Sequence, residues 1–209
     1  TVFTPGSPMT TNVPTDVAIE GDGFFVVEEG EEGSGQRYLT RAGNFYVDAD
    51  HYLVTSNGLY VIGMEGERIQ LGDTDLDIEH FSIGKDGSIS YTLSDGTSHD
   101  VDTDANLQIA LVNVANPSGL QKVGNSLYVP TANADSTIVD NDALLDEDNF
   151  VTPGANGTGT LITGVLEMSN VDLSSEFTEM IVAQRAFQAN SRIITTSDEV
   201  LQELVNLKR

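Results

Sequence analysis

The stretch Leu161 to Arg209, LITGVLEMSNVDLSSEFTEMIVAQRAFQANSRIITTSDEVLQELVNLKR, contains the change of hydrophobic period that settles the fold. Leu161–Met168 has strand character, and at Ser169-Asn170-Val171-Asp172 the pattern becomes helical. Asn170 or Asp172 supplies a cap, Glu176 and Glu179 sit in the early turns, and Lys208-Arg209 close the end, so both termini complement the helix dipole. Proline and glycine are absent from Asp172 to Arg209. Met180, Phe187, Ile194 and Leu201 recur every seven residues, and Leu173 and Phe177 extend the stripe toward the start. Val200, Leu204 and Leu207 widen the apolar surface near the end. Seven-residue spacing sustained in this way predicts a coiled-coil-like seam, with Gln184, Ser191 and Asp198 as polar positions within it. A helix of this length with an apolar seam needs a partner. The expected subunit-interface residues are Leu173, Phe177, Met180, Phe187, Ile194, Leu201 and Leu204. The bland alternative is a helix folded back over its own β domain as an amphipathic cover.

Upstream, from Asp16 to about Val129, short apolar or alternating runs are separated by turn signals, and helical periodicity is absent. The candidate strands are Val17–Ile19, Phe24–Glu28, Arg37–Thr40, Asn44–Val47, Tyr52–Thr55, Tyr60–Met64, Glu67–Gln70, His80–Ile83, Ser88–Leu93, Leu107–Val114 and Ser126–Val129. Asn57-Gly58, Asp86-Gly87 and Asp95-Gly96 offer the positive φ that tight hairpin turns require. Asp135 to Gly159 differs, with an acidic run lacking pattern followed by a Gly- and Thr-rich run, and reads as an exposed excursion and a flexible linker. The expected fold class is therefore mainly β, an antiparallel β body with a long C-terminal α-helix. Residues 1–160 form the acidic body, with the excursion at about 135–159, and residues 161–209 form a final strand plus the helix.

Of 209 residues, 33 are acidic and 9 basic, for a formal net charge of −24. The last 37 residues hold five acids and four bases, so the preceding 172 carry 28 acids against 5 bases. A self-repelling, solvated body is thus joined to a nearly neutral tail whose surface is suited to being covered. The acidity argues against nucleic acid as a partner, and no apolar run approaches the roughly 20 residues needed for membrane insertion. Cysteine is absent, which removes disulfides, thiolate zinc sites and cysteine nucleophiles. The opening TVFTPGSPMTTNVPT has neither the basic start nor the apolar core of a signal peptide, and beginning at Thr1 it reads as a start part-way into a longer protein.

Motifs for chemistry fail one after another, so no catalytic, cofactor-binding or metal residues are expected. His51, His80 and His99 lack ligand-pair spacing, and the neighbours Ser98-His99-Asp100 point to alternate faces of an extended chain. Asp73-x-Asp75-x-Asp77 and Asp100-x-Asp102-x-Asp104 lack the glycine and the bidentate glutamate of an EF-hand loop. Gly21-Asp22-Gly23 lacks the third glycine of a nucleotide fingerprint.

Two stretches carry a resemblance. DVAIEGDGFFVV and YLTRAGNFYVDADHYLVTSNGLYVIG, within Asp16 to Gly63, hold Gly-Asp-Gly and Arg-Ala-Gly-Asn-Phe elements, and Leu161 to Arg209 forms a carboxy-terminal signature. Together with the weaker ALVNVANPSGLQKVGNSLYVPT, Ala110 to Thr131, they resemble the axial proteins that build the rod and hook of the bacterial flagellum. The ending looks most like hook subunits of the shorter Gram-positive kind, with distal-rod subunits close behind. The resemblance implies a polymerising structural subunit, partnered by copies of itself and by neighbouring axial proteins. It also implies an amino-terminal helix, lacking in this sequence, that pairs with the carboxy-terminal one, and export to the flagellum without a cleaved signal. The competing expectation from another class is a secreted calcium-dependent β adhesin or surface-layer module, for which acidity is natural.

Overall fold

The computed structural model describes all residues except 1–4, 31–34, 73–77, 103, 136–143, 145 and 208–209. It divides into two compact units, Thr1–Ser169 and Asn170–Arg209. The first is built of strands: β1 (Pro8–Thr10), β2 (Val17–Glu20), β3 (Phe24–Glu29), β4 (Gln36–Thr40), β5 (Phe45–Val47), β6 (Leu53–Thr55), β7 (Tyr60–Val61) and β8 (Ile78–Ile83). These are followed by β9 (Ile89–Leu93), β10 (Ser98–His99), β11 (Leu111–Val112), β12 (Gln121–Gly124), β13 (Leu127–Val129), β14 (Thr160–Thr163) and β15 (Val165–Glu167). The second unit contains one helix, α1 (Leu173–Leu207).

All strand pairs are antiparallel. The largest sheet runs β12-β13-β4-β3-β7-β6-β5, with β11 also on β3. A three-stranded sheet β10-β9-β8, a β14–β2 pair and a β1–β15 ribbon complete the body. The continuous apolar run of β3 follows from burial on both faces. Phe25 and Val27 enter a core shared with β2, β6, β9 and β14, whereas Phe24 and Val26 enter a second core with Leu39, Ile62, Val112, Leu120, Leu144 and Phe150. Gly58, Gly87 and Gly96 take φ of 78°, 79° and 84°, as the hairpin turns demand.

The structure departs from the sequence reading in particular places. Glu67–Gln70 contributes only isolated bridges, from Arg68 to Ile62 and from Gln70 to Tyr52. Leu161–Met168 is two strands, broken at Gly164 with φ 69°, and these pair with β2 and β1 inside the first unit. Within the segment read as an exposed excursion and flexible linker, of which residues 136–143 and 145 lie outside the described residues, Leu144 and Phe150 are buried and Val151 bridges to Leu111. Gly154 N donates to Gly159 O and the buried Thr158 hydroxyl donates to Ala155 O, which closes residues 154–159 into compact turns.

Two of the body's five bases, Arg37 and Arg68, serve the interior. Glu28, fully buried, accepts from Arg37 Nε at 3.2 Å and from Arg68 Nε at 2.9 Å. Arg37 also donates to the carbonyls of Leu144 and Gly66, and Arg68 donates to Gly30 O and lies 3.9 Å from the Tyr60 ring centroid. A buried carboxylate is tolerated because two guanidiniums and their carbonyl partners satisfy the whole cluster.

Candidate assembly interface

Helix α1 begins where Asp172 accepts two of its orphan amides. Asp172 Oδ1 takes hydrogen bonds from Ser174 N at 2.8 Å and Ser175 N at 3.4 Å, so of the two expected caps this is the one used. Glu176 lies in the first turn, while the Lys208-Arg209 end lies outside the described residues. The 35 residues span about 52 Å at 1.5 Å per residue. None of them is buried. Leu173, Phe177, Met180, Phe187, Ile194, Leu201 and Leu204 are all exposed, Phe187 at 74%.

At about 100° per residue the expected stripe from Leu173 to Leu201 drifts backward through a sector of about 120°, the drift that supercoiling removes. Leu204 falls outside that sector. It belongs to a second stripe on roughly the opposite side: Val182, Ala186, Ala189, Ile193, Val200, Leu204 and Leu207 lie within about 60° of one another. The large members, Val182, Ile193, Val200, Leu204 and Leu207, are as exposed as those of the first stripe. The helix is therefore apolar on two faces. The end of this second face, Val200, Leu204 and Leu207, is legible in the sequence as an apolar edge; its earlier members, Val182, Ala186, Ala189 and Ile193, continue it at steps of four, three and four.

The strand before the helix is held by one guanidinium. Arg41 Nε donates to Glu167 Oε2 at 3.0 Å, and its terminal nitrogens donate to Gly23 O at 3.1 Å and Gly21 O at 2.9 Å. The second Glu167 oxygen accepts from Gly6 N at 2.8 Å. The Gly-Asp-Gly and Arg-Ala-Gly-Asn-Phe elements and the carboxy-terminal signature thus meet in a single clamp. Within it Gly43 is obligatory, since a Cβ there would sit 1.7 Å from Val17 O.

The remaining polar candidates do not converge. His99 stacks on Tyr91 at 5.1 Å, while its neighbour Ser98 faces Thr92 at 3.1 Å between hydroxyl oxygens. His51 Nδ1 is buried without a hydrogen-bond partner among the described residues, and His80 is exposed. Asp100 and Asp104 cap turns, accepting from Asp102 N and Asn106 N. The run Asp73 to Asp77 lies outside the described residues. Among the described residues no group of three or more His, Asp or Glu could hold a metal ion, and no helix is long and apolar enough to cross a membrane.

Residues 18–91 match a family profile described as flagellar hook protein FlgE/F/G D1 domain, and residues 162–207 match one described as flagellar basal body rod FlgEFG protein C-terminal. A flagellar basal-body rod protein FlgG of Bacillus subtilis is 46% identical over 209 residues, covering 100% of this chain and 71% of that protein. The chain belongs to the flagellar rod and hook protein family. A FlgG of Borreliella burgdorferi is 36% identical over 211 residues, covering 100% of the chain and 70% of that protein. A flagellar hook protein FlgE of Treponema pallidum is 40% identical over 132 residues, which cover 63% of the chain and 25% of that protein. The chain is accordingly a structural subunit of the flagellar axis, and these relatives lend no support to a calcium-dependent adhesin or surface-layer module. Where the sequence leaned toward hook, these rod-named relatives run the whole length and the hook-named one does not.

Proposed function

We propose that this chain is a basal-body rod subunit that polymerises by burying both apolar faces of α1 against other helices of the assembly. The observation that carries the reading is a 35-residue helix with two opposed apolar stripes and no buried residue. Covering one large apolar side chain is worth roughly 1.5–3 kcal/mol, so the first stripe alone offers on the order of 10 kcal/mol before ordering costs. Leu173, Phe177, Met180, Phe187, Ile194 and Leu201 form one face of the interface, and Leu204 joins the second. Gln184, Ser191 and Asp198 interrupt the first face and set its register, since a polar position fits only opposite a matching one.

The partner of one face is the amino-terminal helix that the resemblance implies, and that of the other is a neighbouring copy. The acidic body stays wet and keeps nucleic acid away. The subunit transmits torque within the flagellum, is exported there without a cleaved signal, and performs no catalysis. Electron microscopy of the concentrated full-length polypeptide tests the reading, with tubes expected for the wild type. Phe187→Asp and Ile193→Asp each abolish the tubes while leaving the body folded. A wild-type protein that stays single at every concentration overturns the proposal, and normal tubes from Phe187→Asp overturn the first face.

A further inference from the structure

Charge sets one surface of the body apart from the rest. We propose that neighbouring bodies touch through the two open edges of the largest sheet, the β12 edge of one copy seating beside β5 of the next. The inference rests on the reading of the chain as a polymerising subunit.

Residues 105–134 contain no aspartate or glutamate, thirty consecutive positions in a chain with 33 acids, and their one base is Lys122. Burial does not account for this. Ala115, Asn116, Ser118, Gln121, Lys122 and Val123 are exposed, Val123 at 56%. β12 pairs with β13 alone, so among the described residues its outer side has no strand. At the other end of the strand order, the residue before β5, Asn44, bridges to Asp16, but among the described residues β5 itself pairs only with β6 and exposes Tyr46 and Val47. Beside β5 opens a groove of about 590 Å³ whose lining includes Val13, Val47, Ile78 and Phe81 together with Asp48 and Glu79.

Electrostatics selects the pairing. Arg37, Arg41 and Arg68 are spent on internal ion pairs, which among the described residues leaves Lys85 and Lys122 as the body's unpaired cations. Two such bodies repel wherever acid faces acid. β12 itself carries no acid, Asp135 and Asp22 lying instead against Ala115 and Pro117, so the β12 edge is the part that an acidic neighbour approaches at least cost, and Lys122 gives it the opposite sign to Asp48 and Glu79. An unpaired edge with an exposed apolar side chain is also a template for pairing with another chain. A contact between two unlike surfaces leaves one of each free at the ends, so it extends into an open array.

Residues 1–209 contain no cysteine, so the test is made in the full-length polypeptide with any cysteine outside these residues replaced by serine. Wild-type polymer is scored first by electron microscopy; its absence sinks the polymerising reading, and this contact with it. A variant carrying Val47→Cys and Val123→Cys, polymerised and treated with a short bis-maleimide, is expected to give a ladder of linked multimers, whereas each single variant stays unlinked. Polymer without a ladder overturns the contact, as do dimers from Val123→Cys alone, which mean a symmetric edge-to-edge pairing. Independently, Lys122→Glu and Glu79→Lys should each raise the concentration needed for assembly about tenfold, and the double variant should restore it. A double variant no better than the worse single one overturns the charge pairing.

Discussion

Phe45 and Phe187 are the same side chain in opposite circumstances: the first is fully buried edge-on to Phe25, with ring centroids 5.1 Å apart, and the second is 74% exposed. The body closes on itself. Its strands supply apolar faces to two cores, and its buried charges are answered within the chain. The helix closes on nothing in its own unit, and its apolar residues lie on two sides rather than one. What separates the regions is therefore not composition but where the complementary surface is to be found. In the body it is elsewhere in the same chain; for the helix it has to be supplied. Most helical stability in proteins comes from packing an apolar face, so on the proposed reading the second region gains stability from assembly while the first brings its own.

The sharpest way to break this contrast is to disturb the interior charge cluster. Glu28→Gln leaves Arg37 and Arg68 buried without their carboxylate, which should cost the body about 3–5 kcal/mol, read from urea unfolding of its β signal. The helical signal at 222 nm should hold through the early part of that transition if the regions are independent. A smaller loss, about 1.5–3 kcal/mol, is expected for Arg41→Ala, which removes the charged hydrogen bonds to Glu167, Gly21 and Gly23. Because Glu167 also holds Gly6, amide exchange in β1 and β15 should accelerate together in this variant.

Two substitutions that look severe on paper should do little to the body. Phe187→Asp and Ile193→Asp are expected to move its unfolding free energy by no more than about 0.5 kcal/mol, since neither position is buried. A drop of several kcal/mol would mean that the helix is part of the body's own core.

The smallest expected effect is that of acid on the hairpins. The Ser88 hydroxyl bonded to Asp86 at 2.6 Å holds that carboxyl below its usual range, and the Thr97 amide does the same for Asp95. Both values are depressed by folding, so the stabilisation is complete above the unfolded aspartate value and is lost as pH falls through the folded one, below about pH 4. A slight softening of β8–β9 and β9–β10 is expected there by hydrogen exchange, reduced in Asp86→Asn.

Much of this was legible from residue order. The Gly58, Gly87 and Gly96 turns, the long buried β3 and the start of α1 depend on near neighbours, and a reader needs only a window of ten residues to see them. β10 and β12 were missed because two to four residues carry too little periodicity to register. The anchoring of Leu144 and Phe150 was hidden by the acids around them. Of the second stripe on α1 only the end, Val200, Leu204 and Leu207, stood out, because its earlier members include two alanines, Ala186 and Ala189, whose small side chains register weakly as apolar.

The amino-acid sequence by itself determined that a β body gives way to a long helix at Asp172, and that the charge stays with the body, because period and composition are local properties. Only the tertiary structure decided that Arg41 reaches across 126 positions to Glu167, and that Glu28, outwardly an ordinary surface acid, is sealed between two arginines. Charged side chains look alike in any sequence. Which of them are desolvated depends on chain segments far away, and the cost of burying one is met only when those segments arrive together.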